Sequence, residues 1–273
     1  MNTVRDRLWI WGHEAGAHNG SWGLKDSSRM TPAEGAYYLG VPNMIMVRFA
    51  GQPSATLEQY HLPFLPLKRV VWSVVNDGKA ADDDKQGDLD AVLRLAGRFP
   101  NITGLIIDDF FLGGPTPEGA ISQCSLKGLE TFRQRLHGAA RPLDLWMVLY
   151  DHDLRRLPPN KVTQHAAPFD VVTFWTWEAG NLERLDDNLA AAQAVVPGKP
   201  IVLGCYLYDY GGKTPGPMPI ERMEYQCRKG LEWLREGRIV GMIFLASCIC
   251  DLDLEAVEYT RRWIAQTGDQ VLG

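Results

Sequence analysis

Short runs of apolar residues recur along the whole chain and alternate with amphipathic stretches. Each run is hydrophobic on both faces that an extended strand presents, a pattern typical of parallel strands that helices cover. These runs predict strands at 7–12, 43–49, 69–75, 102–108, 143–150, 170–177, 200–207 and 241–248.

The amphipathic stretches between the runs predict the helices. Their bounds are 31–39, 88–98, 125–137, 182–195, 220–236 and 254–266. The first begins with "TPAE", a capping-box pattern with proline at the first helical position. Prolines in "HLPFLPLK" and "LRRLPPNK" predict only weak helices after the second and fifth strands.

About eight strands alternating with helices predict a single (β/α)8 TIM barrel, formed by one domain over residues 1–273. A doubly wound open sheet is the alternative, because a sequence does not reveal whether a sheet closes. The connections from strand to helix are long and rich in glycine, proline and polar residues, as in "YDYGGKTPGPMP", whereas those from helix to strand are short. A barrel carries its binding site on the face that the strand-to-helix loops build. The site is therefore expected at the carboxyl ends of the strands.

Acidic and aromatic residues follow the carboxyl ends of most predicted strands, with Asn76 and Asp77 after the third and Ser247 and Asp251 after the eighth. Carboxylates beside aromatic rings suit a sugar, whose hydroxyl groups need acceptors and whose C–H faces stack on rings. The predicted substrate-binding residues are His13, Glu14, Asp151, Trp177, Tyr206, Tyr208, Asp209 and, within the first strand, Trp11.

Two adjacent carboxylates end the fourth predicted strand, in "ITGLIIDDFF". Paired acids in a confined site push their pKa values apart, so that one acts as an acid and the other as a base, as glycoside hydrolysis requires. We therefore predict Asp109 as the general acid/base and Asp108 as its partner. In a mechanism with two separated carboxylates, Glu178 or Asp151 is the predicted nucleophile or base. The opposing interpretation of Asp108 is that it points outward and caps the following loop.

The segment "GLIIDDF" resembles the strand-four motif of substrate-assisted N-acetylhexosaminidases of the O-GlcNAcase type. More distantly, it is similar to the acidic strand-four motif of chitinase-like barrels, although their longer acidic series ending in Glu is absent. The resemblance implies that Asp108 orients and polarises the acetamido group of the substrate. It also implies that Asp109 protonates the leaving oxygen and then activates water.

Composition and charge narrow the choice of partners. The chain has a net charge of −5 and no basic stripe, which argues against nucleic acid and anionic membranes and leaves a small carbohydrate as the expected partner. The five cysteines are an odd number and indicate reduced, buried thiols in a cytoplasmic protein. The first residues contain no apolar run of the length found in signal peptides. A secreted or periplasmic chain without its signal peptide would give the same pattern.

Two other functions remain open at this stage. A metal-dependent sugar isomerase or hydrolase would draw its ligands from His13, Glu14, Asp109, His152, Asp153 and Asp209. No HxH or HExxH spacing is present, so we predict neither a metal nor a cofactor. A barrel that binds carbohydrate without turning it over is the second alternative. It is expected to lack acids at the strand ends, and this chain has many.

Overall fold

The computed structural model describes residues 2–54, 56–74, 88–112, 114, 116 and 119–273. Eight strands close into a parallel barrel in the order β1–β8–β7–β6–β5–β4–β3–β2, which confirms the predicted TIM barrel. The strands are Leu8–Gly12 (β1), Asn43–Met46 (β2), Arg69–Ser73 (β3), Ile102–Ile107 (β4), Asp144–Tyr150 (β5), Val171–Trp175 (β6), Ile201–Tyr206 (β7) and Gly241–Leu245 (β8).

Each predicted strand contains an observed strand, but several predicted strands run too far toward the carboxyl end. The apolar runs continue past the strands because the next residues are buried beneath the loops. Val47, Leu207 and Cys248 are examples, each outside a strand and almost fully buried. Burial without strand geometry gives the same sequence signal as a strand.

The helices lie at Pro32–Leu39 (α1), Leu57–His61 (α2), Leu89–Arg98 (α3), Leu126–His137 (α4), Asp151–Arg156 (α5), Pro159–Ala166 (α6), Leu185–Val195 (α7), Ile220–Arg235 (α8) and Glu255–Thr267 (α9). The capping box is present, because the Glu34 amide donates to Thr31 Oγ1 and the Thr31 amide donates to Glu34 Oε2. The proline-containing segments give short helices. After β5, α5 ends just before Leu157-Pro158 and a separate helix begins at Pro159.

Packing divides the chain into two compact units. The first comprises Met1–Met46, Thr176–Leu185 and Ile201–Gly273, and it holds β1, β2, β7 and β8. The second comprises Val47–Trp175 and Asp186–Pro200, and it holds β3 to β6. The expectation of one domain over 1–273 stays a prediction.

Each unit has its own apolar interior. Leu8, Ile10 and Phe244 are fully buried in the first, and Trp72 and Phe110 in the second. All five cysteines are buried and none forms a disulfide bond, as predicted. Among the described residues, no helix has the length and apolar character needed to cross a membrane.

Candidate active site

The two acids after β4 form a turn that a distant side chain holds in place. Asp109 has a φ of +44°, in the left-handed region, which residues other than glycine adopt uncommonly. The side-chain amide of Gln123 donates to the carbonyl oxygens of Asp108 (3.0 Å) and Asp109 (2.7 Å). Its own backbone amide donates to the carbonyl oxygen of Phe110. Since Gln123 is buried, these bonds fix the turn from the protein side.

The carboxylates of the pair have different surroundings. Asp108 is half-buried, and its Oδ1 accepts a hydrogen bond from the Asp109 amide at 2.9 Å, the kind of contact that the capping interpretation predicts. Asp109 is exposed, and its Oδ1 accepts from the Tyr150 hydroxyl at 2.7 Å. The turn therefore presents one carboxylate to solvent in a fixed orientation.

Tyr150, the last residue of β5, connects Asp109 to a second, buried carboxyl group. The Tyr150 amide donates to Asp153 Oδ2 at 3.0 Å, and its ring stacks on the His152 imidazole at 4.9 Å and 10°. Asp153 is 1% exposed and its Oδ1 has no hydrogen-bond partner. Burial raises the pKa of Asp153 to about 6, and the charges of Asp109 and Asp151 add to the effect.

The other two residues at the start of α5 are also held by neighbours. Asp151 is buried, and its Oδ2 accepts from the Arg155 guanidinium at 2.8 Å. His152 lies 4.0 Å from Asp151 Oδ1 and 3.8 Å from Asp153 Oδ1. Burial, followed by the charge of Arg156, lowers the pKa of His152, so its imidazole is neutral near pH 7. Asp151, a predicted substrate contact, is thus a buried carboxylate paired with an exposed arginine.

The predicted aromatic residues lie in the other unit and contact one another. Tyr208 lies on a two-stranded ribbon, Tyr208–Asp209 with Gly216–Pro217, and its hydroxyl donates to the Trp22 carbonyl oxygen. Trp177 meets Tyr206 edge to face at 5.6 Å. Such rings offer the flat apolar faces that a sugar prefers.

Two buried histidines adjoin these rings. His18 Nδ1 lies 3.1 Å from the Tyr210 hydroxyl, and the His18 ring lies 4.7 Å from that of His13. His13 is anchored because its amide donates to Ser247 Oγ, which in turn donates to the His13 carbonyl oxygen. Burial lowers the pKa of His18 to about 4, and burial together with His18 lowers the pKa of His13. Both rings are therefore neutral near pH 7.

The remaining predicted site residues are placed differently. Asp209 Oδ1 accepts from the backbone amides of Ala179 and Gly212, so this carboxylate ties its own loop to the segment that follows β6. Glu178 is exposed and Glu14 is partly exposed. Trp11 is 3% exposed within β1.

The structure also bears on the candidate metal ligands and on the residues predicted to follow β3. Within the described part of the chain, no three His, Cys, Asp or Glu side chains are grouped so as to hold a metal ion. Asn76 and Asp77 lie outside the described residues.

Several residues of these clusters were not identified from the sequence. Gln123 lies in a segment with no helical or strand pattern, and Tyr150 has the apolar context of a strand. The contact of His18 with Tyr210 joins residues 192 positions apart, so no local pattern marks it. Only the Tyr206, Tyr208, Tyr210 spacing pointed toward this cluster.

Comparison with known proteins gives structural likenesses only. No protein-family model matches the chain, and no curated protein sequence does so. The Group IV chitinase of Ostrinia furnacalis in complex with allosamidin has a TM-score of 0.59 at 10% identity, over 97% of this chain and 100% of that chain. The family 5 glycoside hydrolase mannosidase of Rhizomucor miehei has a TM-score of 0.57 at 10% identity, over 97% and 93%.

A third similar structure is not named as an enzyme. The xylanase-alpha-amylase inhibitor protein XAIP-I, in complex with trehalose, has a TM-score of 0.55 at 12% identity, over 96% of this chain and 98% of that chain. At such low identity these likenesses establish the class of fold. The chain is a TIM barrel of the form that chitinases, a mannosidase and an inhibitor protein share.

Proposed function

We propose that this protein is a glycoside hydrolase with Asp109 as its general acid/base. The observation that carries the proposal is an exposed carboxylate on a strained turn, fixed by Gln123 from one side and by Tyr150 from the other. Strained backbone persists where the surrounding structure enforces it, and such positions cluster at functional sites. A carboxylate oriented before the substrate arrives lowers the entropic cost of reaction.

The fold supports this proposal without deciding it. Chitinases and a mannosidase share the barrel, but one barrel hosts many unrelated functions, so the site has to supply the argument. Asp109 follows a barrel strand at its carboxyl end, where TIM-barrel enzymes place catalytic groups.

The chemistry requires one group that gives a proton and then takes one. Asp109 donates a proton to the glycosidic oxygen as the bond to the leaving group breaks, and it then removes a proton from the attacking water. In the substrate-assisted version, the acetamido oxygen of an N-acetyl sugar attacks the anomeric carbon and Asp108 orients that group. The bond from the Asp109 amide to Asp108 Oδ1 fixes the two carboxylates relative to each other. In the two-acid version, Glu178 or Asp151 acts as the nucleophile or base and no acetamido group is needed.

The test compares the wild type with Asp109→Asn on a panel of aryl glycosides that includes N-acetylglucosaminides and N-acetylgalactosaminides, with and without a chelator. Asp253→Asn is the matched control, because Asp253 is also exposed and also has a positive φ, +51°. We expect turnover in the wild type and the control, and a loss of a hundredfold or more in Asp109→Asn. Undiminished turnover by Asp109→Asn contradicts the assignment, and activity lost with the chelator indicates a metal site.

Binding of carbohydrate without turnover is the second candidate. The ring cluster around Tyr206 favours it, and the fold is shared by an inhibitor protein that was crystallised with trehalose. Calorimetric titration with the same sugars separates the two candidates, because a binding module keeps its affinity in Asp109→Asn and hydrolyses none of the panel. A reducing, cytoplasmic location is part of the proposal and is supported by the five buried cysteines, none of which forms a disulfide bond.

A further inference from the structure

A buried carboxyl group lies directly behind the exposed one. We propose that Asp153 is a positioning residue for Asp109, which acts through Tyr150 and does so as the neutral carboxylic acid. The inference rests on the function proposed above, because it concerns the alignment of the same general acid/base.

The mechanical connection runs through one residue. Tyr150 donates its hydroxyl hydrogen to Asp109 and its amide hydrogen to Asp153, while its ring lies flat on His152. The amide bond fixes the backbone at the end of β5, and the stacked ring fixes the direction in which the hydroxyl points. Asp153 therefore determines where the hydrogen bond to Asp109 is made, although the Asp153 side chain is itself buried.

Burial favours the neutral form of Asp153, and the charges around it act in both directions. Asp109 faces it from the end of β4, and Asp151, His152 and Arg156 face it from α5. The Arg155 guanidinium is bound to Asp151, and a single cation, Arg156, opposes the two neighbouring carboxylates. An ionised carboxylate with one unpartnered oxygen at 1% exposure is costly, and protonation removes that cost.

The position of the proton follows from the hydrogen bonds. Asp153 Oδ2 accepts from the Tyr150 amide, so the proton lies on Oδ1, the oxygen without a partner and 3.8 Å from His152 Nε2. When Asp153 ionises, this proton is lost and a negative charge on Oδ1 lies 3.8 Å from the His152 ring, which stacks on Tyr150. The imidazole shifts in response, which moves the Tyr150 ring and loosens its hydrogen bond to Asp109.

A test that needs no turnover comes first, so that the inference and the proposed function fail separately. Protein labelled with ¹³C at aspartate carboxyl carbons is titrated by NMR, and the Asp153 signal is identified by its loss in Asp153→Asn. We expect a midpoint near pH 6, about a hundredfold tighter proton binding than an ordinary aspartate, and a lower midpoint in Asp109→Asn. A midpoint near 4 overturns the inference whatever the enzyme hydrolyses.

The kinetic test uses the best substrate of the panel. Asp153→Asn mimics the neutral acid, because its amide oxygen accepts from the Tyr150 amide and its NH2 replaces the O–H. We expect kcat within threefold of wild type at pH 5, and a smaller fall above pH 6 than in the wild type, because only the ionisation of Asp109 still lowers the rate. Tyr150→Phe, which keeps the ring and the amide, is expected to lower kcat at least tenfold with little change in KM.

The matched control is an aspartate that contacts the opposite end of β5. Asp170 Oδ2 accepts from the Leu145 amide at 2.9 Å and from His137, so Asp170→Asn changes an equivalent contact remote from Asp109. We expect this variant to keep the wild-type pH profile. A loss in Asp153→Asn as large as that in Asp109→Asn would overturn the inference, because Asp153 would then supply the proton itself. An unchanged decline above pH 6 in Asp153→Asn would overturn it as well.

Discussion

Acid should destabilise this protein through a histidine that it buries without charge. His18 is 3% exposed, lies against the rings of His13, Trp22 and Tyr210, and has its Nδ1 3.1 Å from the Tyr210 hydroxyl. Protonation would place a positive charge among rings where water cannot solvate it. The variant His18→Phe keeps an aromatic ring in the same position and cannot be protonated.

The size of the effect follows from the pKa. Burial lowers the pKa of His18 from 6.5 to about 4, which corresponds to roughly 3 kcal/mol at about 1.4 kcal/mol per pKa unit. Between these two values the unfolded chain binds the proton and the folded chain does not. The contribution of His18 to the free energy of unfolding is therefore fully present above pH 6.5 and is lost as the pH falls toward 4. His13, whose pKa burial also lowers, adds to the loss.

The assay is denaturant unfolding of both proteins at half-unit steps between pH 4 and pH 7.5. At pH 7, His18→Phe should be less stable by about 1–3 kcal/mol, because the Tyr210 hydroxyl loses its partner. As the pH falls toward 4, the free energy of unfolding of the variant should rise relative to that of the wild type by about 3 kcal/mol. His137→Gln, which replaces an exposed histidine, controls for the loss of a histidine as such. A difference between His18→Phe and wild type that stays constant over this range would refute the reasoning.

Three further outcomes are expected. Gln123→Leu removes both amide bonds to the Asp108–Asp109 turn, so the free energy of unfolding should fall by about 1–3 kcal/mol and the turnover of the best glycoside by about tenfold, measured by denaturant unfolding and steady-state kinetics. The free energy of unfolding of Asp153→Asn should rise relative to that of the wild type by up to about 3 kcal/mol between pH 4 and pH 7, because burial raises the pKa of Asp153 from 3.8 to about 6 and the folded wild type must ionise that group. Equal pH dependence of unfolding in both proteins would contradict this. The five buried thiols should resist a thiol reagent in the native protein and all react in denaturant, and fast native labelling would show that a cysteine is accessible.

The fold was largely predictable because its signals are local. A run such as 102–108 has to be apolar on both faces when it lies between a barrel core and covering helices, and Ile102–Ile107 is buried at nearly every position. Capping at Thr31 and the prolines around 158 are likewise written in neighbouring residues. Strand ends were less predictable, because residues such as Val47 are buried by loops and keep the apolar pattern after the strand has ended.

The candidate site was predictable only at the residues that carry chemistry. Adjacent acids after a buried strand drew attention to Asp109, but its positive φ and its bond to Tyr150 depend on how two strands end relative to each other. Asp153 was named as a candidate ligand of the alternative metal site, and its burial depends on the fold of α5, whose proline-containing continuation gave a weak signal. A sequence pattern identifies a titratable group, whereas its protonation state is decided by neighbours that the pattern does not contain.

The two asparagines in N-glycosylation sequences illustrate the same limit from the opposite direction. In "NIT" the Asn101 side-chain amide donates to the carbonyl oxygens of Phe64 and Leu67, and its oxygen contacts His61. In "NGS" the Asn19 amide donates to the Ser28 carbonyl oxygen. Both amide hydrogens of Asn101 are bonded, so attachment of a glycan there would replace a hydrogen that the fold uses, and the contacts oppose modification although the local motif is present. The structural role of these asparagines accounts for their presence without any modification, just as the contacts of Asp109, rather than the Asp-Asp pair itself, support its assignment to catalysis.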